Sequence, residues 1–184
     1  MMHTLMSFIG TIGHNMKCTG VEELIGAAYS GIANILNGKA WPKAMRAFRM
    51  VVAALLNEFL HEGEKSNDEI MAYLEKAREH PTCKLWVDCF ITPTMLAHQL
   101  TRAEREGDWL LQQYCLEMMM PYFFVAGHHN YARYISWHLR EMQHLPHDAK
   151  KDLLDGAHVC RHSKGSAAVS GDQYGEQTYI KQGK

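Results

Sequence analysis

The sequence lacks a charge imbalance and a long apolar run, and each absence excludes a class of protein. Its formal net charge is −1 over 184 residues, so the chain has no overall positive field that attracts nucleic acid or an anionic membrane. No uncharged apolar run reaches the ~18 residues that a membrane-spanning helix needs. We therefore expect an intracellular protein, nuclear or cytoplasmic, that has no membrane partner.

The sequence also lacks paired cysteines and the short motifs of several enzyme classes. Its five cysteines are scattered, and no two of them form a C-x-x-C pair. This pattern predicts free thiols in a reducing compartment rather than a zinc site or a disulfide framework. There is no glycine-rich phosphate loop followed by Lys-Ser/Thr, no G-x-S-x-G and no H-E-x-x-H, so these common phosphate-binding, hydrolase and metalloprotease signatures are absent.

Apolar residues are plentiful enough to form a core. The composition is 47% hydrophobic and 21% charged, which is ordinary for a globular domain. Most apolar residues recur at spacings of three and four, the period of an α-helix. We predict a mainly α fold, a multi-helix, bundle-like domain over residues 1–156 with roughly seven to nine helices. Residues 157–184 should form a small C-terminal β hairpin and a terminal helical segment, a truncated part of a larger domain.

Three helices are predicted before Ser66. On the first, over residues 3–16, Gly10 and Gly13 leave a smooth strip that a second backbone could approach closely. The second helix is predicted over residues 21–36, and the third begins with Pro42 at its first position. The predicted buried face of the second helix is formed by Leu24, Ala28, Ile32 and Ile35.

Several residues mark where later helices should begin or change direction. Ser66-Asn67-Asp68-Glu69 is a capping box that predicts a helix start. Thr82 is predicted to cap the next helix, and Thr92-Pro93 to kink it or to begin another. Asn130 is predicted to cap a later helix.

The region 121–140 is where we expect the core to converge, because large aromatic side chains bury the most apolar area per residue. It also contains a glycine break at Gly127 that is followed by His128 and His129. Side chains at such a helix entrance are often held in place for function. His128 is therefore a candidate catalytic residue, while the ordinary alternative is that one of the two histidines packs and the other faces water.

Asp172 and Glu176 form the candidate metal site. On a helix, residues four apart lie on one face, so their two carboxylates could hold one divalent cation such as Mg²⁺. Both would then be catalytic residues of a metal-dependent reaction. The alternative is that Asp172 caps a helix and Glu176 is a first-turn carboxylate.

A basic side on the third predicted helix is the candidate nucleic-acid surface. It is formed by Lys39, Lys43, Arg46 and Arg49. Such a row is usually a solvated helix face, and phosphate binding is the functional alternative.

Two sets of residues carry a resemblance to a known family. The first set comprises residues 3–10 (HTLMSFIG), 20–23 (GVEE) and 38–40 (GKA). The second comprises residues 121–124 (PYFF), 127–134 (GHHNYARY), His162 and 172–178 (DQYGEQT). Over essentially its whole length the chain resembles a family of multicopy animal and fungal proteins that is known only as a domain of unknown function.

The resemblance implies a transposon origin, since members of that family often lie near mobile-element sequence, but it implies no cofactor and no catalytic residue. Members usually extend beyond both ends of this sequence, so we expect a fragment whose partners are the missing upstream and downstream parts of a longer protein. The abrupt start of the first apolar helix favours the same interpretation. Exposed parts of an interrupted core should also promote self-association.

Three functions follow from these observations. The leading one is a transposon-derived helical core or interaction module that has no catalytic activity by itself and needs no cofactor. The second is part of a Mg²⁺-dependent, ribonuclease-H-like transposase or polynucleotidyl transferase, in which Asp172 and Glu176 bind the metal; by analogy only, Glu176 would be its last carboxylate. The third is a weak DNA-binding module that uses the Lys39–Arg49 face.

Overall fold

The computed structural model describes residues 2–61, 65–161 and 168–170, and within these ranges the chain is mainly α-helical. The predicted fold class is therefore confirmed. The helices are α1 (Met2–Asn15), α2 (Val21–Gly26), α3 (Ile32–Leu36), α4 (Trp41–His61), α5 (Asn67–Ala77), α6 (Pro81–Trp86), α7 (Thr92–Glu106), α8 (Trp109–Val125), α9 (His129–Gln143) and α10 (His147–Leu154). A π-helical turn, Val87–Ile91, lies between α6 and α7, and the strands are β1 (Val159–Arg161) and β2 (Ala168–Ser170).

The chain divides into two compact units. Residues 9–95 form one, which we call the continuous unit, and residues 1–8 with 96–184 form the other, the discontinuous unit.

In the continuous unit, the glycine strip of α1 lies against the end of α3. A Cβ atom added to Gly13 would lie 2.1 Å from the carbonyl oxygen of Leu36, and one added to Gly10 would lie 3.1 Å from that of Asn37. Real Cβ atoms do not approach a carbonyl oxygen as closely as the first distance, so only glycine fits at residue 13. The predicted close approach of a second backbone to this strip is confirmed.

The single helix predicted over residues 21–36 is wrong, because the chain forms α2 and α3 with a break between them. Gly31 has φ 76°, a left-handed conformation that a right-handed helix cannot include. The break also changes which residues are buried: Leu24 is 47% exposed and Ala28 is exposed, whereas Ile35 is buried as predicted.

Helix α4 and the residues that follow it contribute two buried groups to the core of this unit. Phe48 packs against Phe90 with ring centroids 5.2 Å apart. A second buried cluster is formed by Leu56, Leu74, Val87 and Ile91.

The capping box at Ser66 is confirmed. The Ser66 Oγ accepts a hydrogen bond from the Glu69 backbone N–H at 3.2 Å, and the Ser66 N–H donates to the Glu69 carboxylate at 2.8 Å.

The cap predicted at Thr82 is wrong: α6 begins at Pro81, with His80 as its N-cap. Proline suits the first helical position because the N–H it lacks would have had no partner there.

The Thr92-Pro93 signal corresponds to a widened helical turn. The Thr92 N–H bonds to the carbonyl oxygen of Val87, five residues back, which is the π-helical pattern. Helical structure therefore continues from Pro81 to Glu106, and the wider turn lies directly before the proline, which has no N–H to donate.

In the discontinuous unit, α8 and α9 pack side by side as an antiparallel pair. Contacts join Gln113 to His138, Met120 to Ser136 and Phe124 to His129. Residues late in α8 therefore contact residues early in α9, as they must in an antiparallel pair. The C-terminal hairpin is also confirmed: β1 and β2 pair antiparallel, with Val159 opposite Ser170 and Arg161 opposite Ala168. The predicted terminal helical segment lies outside the described residues.

Candidate interaction surface

The connection between α8 and α9 is a Schellman motif that fixes the position of His128. Gly127 has φ 74°, the His128 N–H donates to the Phe123 carbonyl at 2.8 Å and the Gly127 N–H donates to that of Phe124 at 3.1 Å. These are the two bonds of the motif, and the accompanying apolar contact is present because the His128 ring lies 6.3 Å from the Phe123 ring. Asn130, predicted as the cap of α9, lies one residue inside the helix, and His128 is the N-cap.

In the contacts that the structure describes, neither His128 nor His129 forms a catalytic arrangement with another polar side chain. The His128 ring lies against Phe123 and Tyr131, and the His129 ring lies 5.4 Å from the Phe124 ring. The geometry thus accounts for His128 through packing and backbone hydrogen bonding, and its catalytic role stays a prediction.

The candidate metal pair, Asp172 and Glu176, lies outside the described residues. Across the residues that the structure does describe, no group of three or more His, Cys, Asp or Glu side chains could hold a metal ion. A cavity of about 480 Å³ beside α10 is lined by Asp152, Asp155, Gly156, Ala157 and Val159. Asp88 forms an ion pair with Arg78 at 2.6 Å, and Arg78 also contacts Glu75.

The predicted basic face of α4 is divided between a structural lysine and exposed cations. The Lys43 Nζ donates to the carbonyl oxygen of Ser30 at 2.6 Å and lies 5.8 Å from the centroid of the Tyr29 ring. This lysine therefore fastens α4 to the residues before α3. Lys39, Arg46 and Arg49 are exposed, so these three are available to a phosphate or to solvent.

The prediction that the core converges on residues 121–140 is wrong: of these residues only Phe123, Ala132 and Ile135 are buried. Phe123 is fully buried, with Phe8 5.5 Å away and Tyr131 stacked on it at 5.2 Å. In contrast, Phe124 is 58% and Trp137 59% exposed. The aromatic region thus has an inner half that packs and an outer half that faces solvent.

The exposed apolar side chains continue along the outward side of α8. This helix is apolar around its whole circumference, and Glu117 is its one charged residue among 17. A helix of this kind is normally buried on all sides. Its inward residues are indeed buried, and they include Cys115, Leu116, Met119 and Phe123. The outward residues, which we call the α8 stripe, are Leu110, Tyr114, Glu117, Met118, Pro121, Phe124 and Val125, and all seven are exposed.

Two further aromatic side chains are exposed on α9. Tyr134 is 51% exposed, and its ring lies 6.3 Å from that of Trp137 and stacks at 6.3 Å on His138. Helix α9 otherwise has the polar outward face that is typical of a surface helix. The α8 stripe is therefore the more unusual surface of this unit.

Burial is the main cause of the shifted pKa values of one cysteine and two histidines in this unit. Burial raises the pKa of the Cys115 thiol to about 11, so this cysteine is a neutral core residue rather than a nucleophile. Burial lowers the pKa of His138, whose Nε2 lies 3.3 Å from the Gln113 side-chain nitrogen. Burial likewise lowers the pKa of His158.

Sequence reasoning missed the α8 stripe as a surface, although its signal was present. A helix without an amphipathic pattern shows no preferred side, so the residues at its end, 121–125, were expected to lie in the core as a group. The near absence of charge over residues 109–125 could have indicated that a surface-lying helix would keep an apolar outer face.

Within the described ranges, none of the helices is long and apolar enough to cross a membrane.

Comparison with known proteins identifies the family. No curated protein and no solved structure matches the chain. The family model of a domain of unknown function, DUF8702, matches residues 1–79 and 63–184, which together span the whole sequence. The mainly α chain described here therefore belongs to the DUF8702 family.

Proposed function

We propose that this DUF8702 chain is a transposon-derived helical interaction module that binds another protein and does not catalyse a reaction by itself. The observation that carries the proposal is the α8 stripe. A contiguous exposed apolar surface is typical of a protein-binding site, and this one lies on a helix whose inner side is firmly packed. A rigid, pre-formed helix face loses little conformational entropy when it binds.

Site-specific photocrosslinking in cells tests the interaction. A benzophenone amino acid at Tyr114, in the α8 stripe, should give a discrete crosslinked adduct. The same amino acid at Tyr73, an exposed residue of α5, should give none. The adduct should disappear when Leu110→Asp and Val125→Asp are added, provided that the variant keeps its helical circular dichroism. A Tyr114 probe that gives no adduct would contradict the proposal.

The transposon origin is supported by the resemblance described above. It predicts multiple genomic copies of the coding sequence that are flanked by inverted repeats. A single copy in a conserved gene neighbourhood, without such repeats, would speak against it.

DNA binding by α4 is a second candidate, favoured by the exposure of Arg46 and Arg49. Binding through phosphates should weaken as salt rises, and Arg46→Ala with Arg49→Ala should weaken it further. Arg133→Ala, at an exposed position of α9, is the matched control and should have no effect. Gel shifts that show no binding at low salt would remove this candidate.

The metal-dependent transferase depends on Asp172 and Glu176, which the structure does not describe. Isothermal titration calorimetry with Mn²⁺ tests this candidate.

A further inference from the structure

The α8 stripe has the length and spacing of a seam for a single helix. Its residues recur at spacings of three and four between Leu110 and Val125, so they lie on about one third of the helix circumference. The stripe is about 22 Å long at a rise of 1.5 Å per residue. A helix of some four turns could therefore pack along it, ridges into grooves.

The exposed area of the stripe is small for a permanent dimer. Its five large apolar side chains are between 42% and 81% exposed. They present roughly 600 Å² to solvent, whereas obligate homodimers bury more than about 1,000 Å² per partner. The area suits one docked helix better than a second whole copy of the chain. The five side chains are those of Leu110, Tyr114, Met118, Phe124 and Val125.

The charge of the stripe also argues against a second copy of the chain as its partner. Glu117 lies at the midpoint of the stripe, and in the described part of the chain no ion pair involves it. If two copies packed α8 against α8 in register, parallel or antiparallel, the two Glu117 carboxylates would meet. Like charges in that position disfavour association. A lysine or arginine on the partner would instead pair with Glu117.

We propose that the α8 stripe binds an amphipathic helix of another protein, and that this helix carries a lysine or arginine in the middle of its apolar face to pair with Glu117. This inference rests on the interaction module proposed above and specifies its partner. Apolar contacts along the stripe supply the affinity, and Glu117 selects the charge of the partner.

Two fluorescently labelled peptides serve as probes, each about 21 residues long with leucines at heptad positions. One has a central lysine and the other a central glutamate. The full chain should bind the lysine peptide about fivefold more tightly in fluorescence anisotropy, the effect of one exposed ion pair. Glu117→Lys should reverse the preference, and Glu117→Gln should abolish it. Glu141→Lys, a charge reversal at an exposed α9 position, should leave it unchanged.

The outcomes separate the two proposals. Equal affinity for both peptides, lost on Leu110→Asp with Val125→Asp, would overturn the role of Glu117 and leave the interaction module standing. A dimer in sedimentation equilibrium that Val125→Asp dissociates would show that a second copy covers the stripe, and would overturn the inference. If neither peptide binds, the inference is overturned, and photocrosslinking at Tyr114 decides separately whether the module itself fails.

Discussion

The ring of Tyr131 stacks on the ring of Phe123, with centroids 5.2 Å apart and 15° between the planes. This contact joins the end of α8 to the start of α9 across the left-handed Gly127. The next residue in the sequence, Phe124, is 58% exposed. Two adjacent phenylalanines therefore have opposite roles, one in the core and one on the surface.

Phe123→Leu should destabilise the chain by about 1–3 kcal/mol, because it removes buried ring contacts and leaves a cavity. Phe124→Leu is the matched control and should change the free energy of unfolding by less than about 0.5 kcal/mol. Urea unfolding followed by circular dichroism measures both. Equal losses for the two variants would contradict the packing described here.

Gly13→Ala should destabilise the contact between α1 and the end of α3 by about 2 kcal/mol or more, because the added methyl group would overlap the Leu36 carbonyl. Gly10→Ala, where the closest approach is 3.1 Å, should cost distinctly less. Thermal unfolding of the two variants gives the ranking. A Gly13→Ala variant as stable as the parent would show that the two backbones can separate without cost.

Burial of His138 should make stability depend on pH. Because its pKa is lower in the folded chain than the usual value of 6.5, the unfolded chain takes up the proton first. Above pH 6.5 the ring is neutral in the folded and in the unfolded chain, and the chain has its full stability. This stability is lost as the pH falls through the lower pKa that His138 has in the folded chain. His138→Gln should flatten this part of the stability profile.

Urea midpoints between pH 7 and pH 5, measured for the parent chain and for His138→Gln, give the two stability profiles. NMR titration of the His138 ring gives the pKa directly. A value at or above 6.5 would contradict the burial argument.

We expect no saturable heat when Mn²⁺ is titrated into the full chain, because the proposed module does not use a metal. The transferase alternative predicts such a heat, and predicts that Glu176→Gln abolishes it while Glu141→Gln does not. Isothermal titration calorimetry therefore separates the two functions. A heat that depends on Glu176 would replace the module with the metal-dependent enzyme.

Features that depend on a few neighbouring residues were predictable from the sequence. The capping box at Ser66 and the C-terminal hairpin are local, since the bonds that define them join residues close along the chain. The glycine strip on α1 was predictable for a related reason, because a missing Cβ leaves space whatever the partner. The sequence did not reveal that the partner is the end of α3.

Features that depend on competition between local signals were not predictable. Residues 21–36 read as one helix because their apolar spacing is helical, but the left-handed conformation of Gly31 interrupts it. Asn130 is a good capping residue by type, but the Schellman motif at Gly127 makes α9 begin at His129. In both places, backbone geometry outweighed the preference of a side chain.

The sequence by itself determined that this chain is helical, where several of its helices begin, and that residues 109–125 carry almost no charge. It could not determine which side of α8 faces the core, because a helix that is apolar all round has no amphipathic pattern to orient it. Only tertiary packing decided that Phe123 and Cys115 turn inward while Tyr114 and Val125 face solvent. Burial depends on the neighbouring helices, and that choice created the surface on which the proposed function depends.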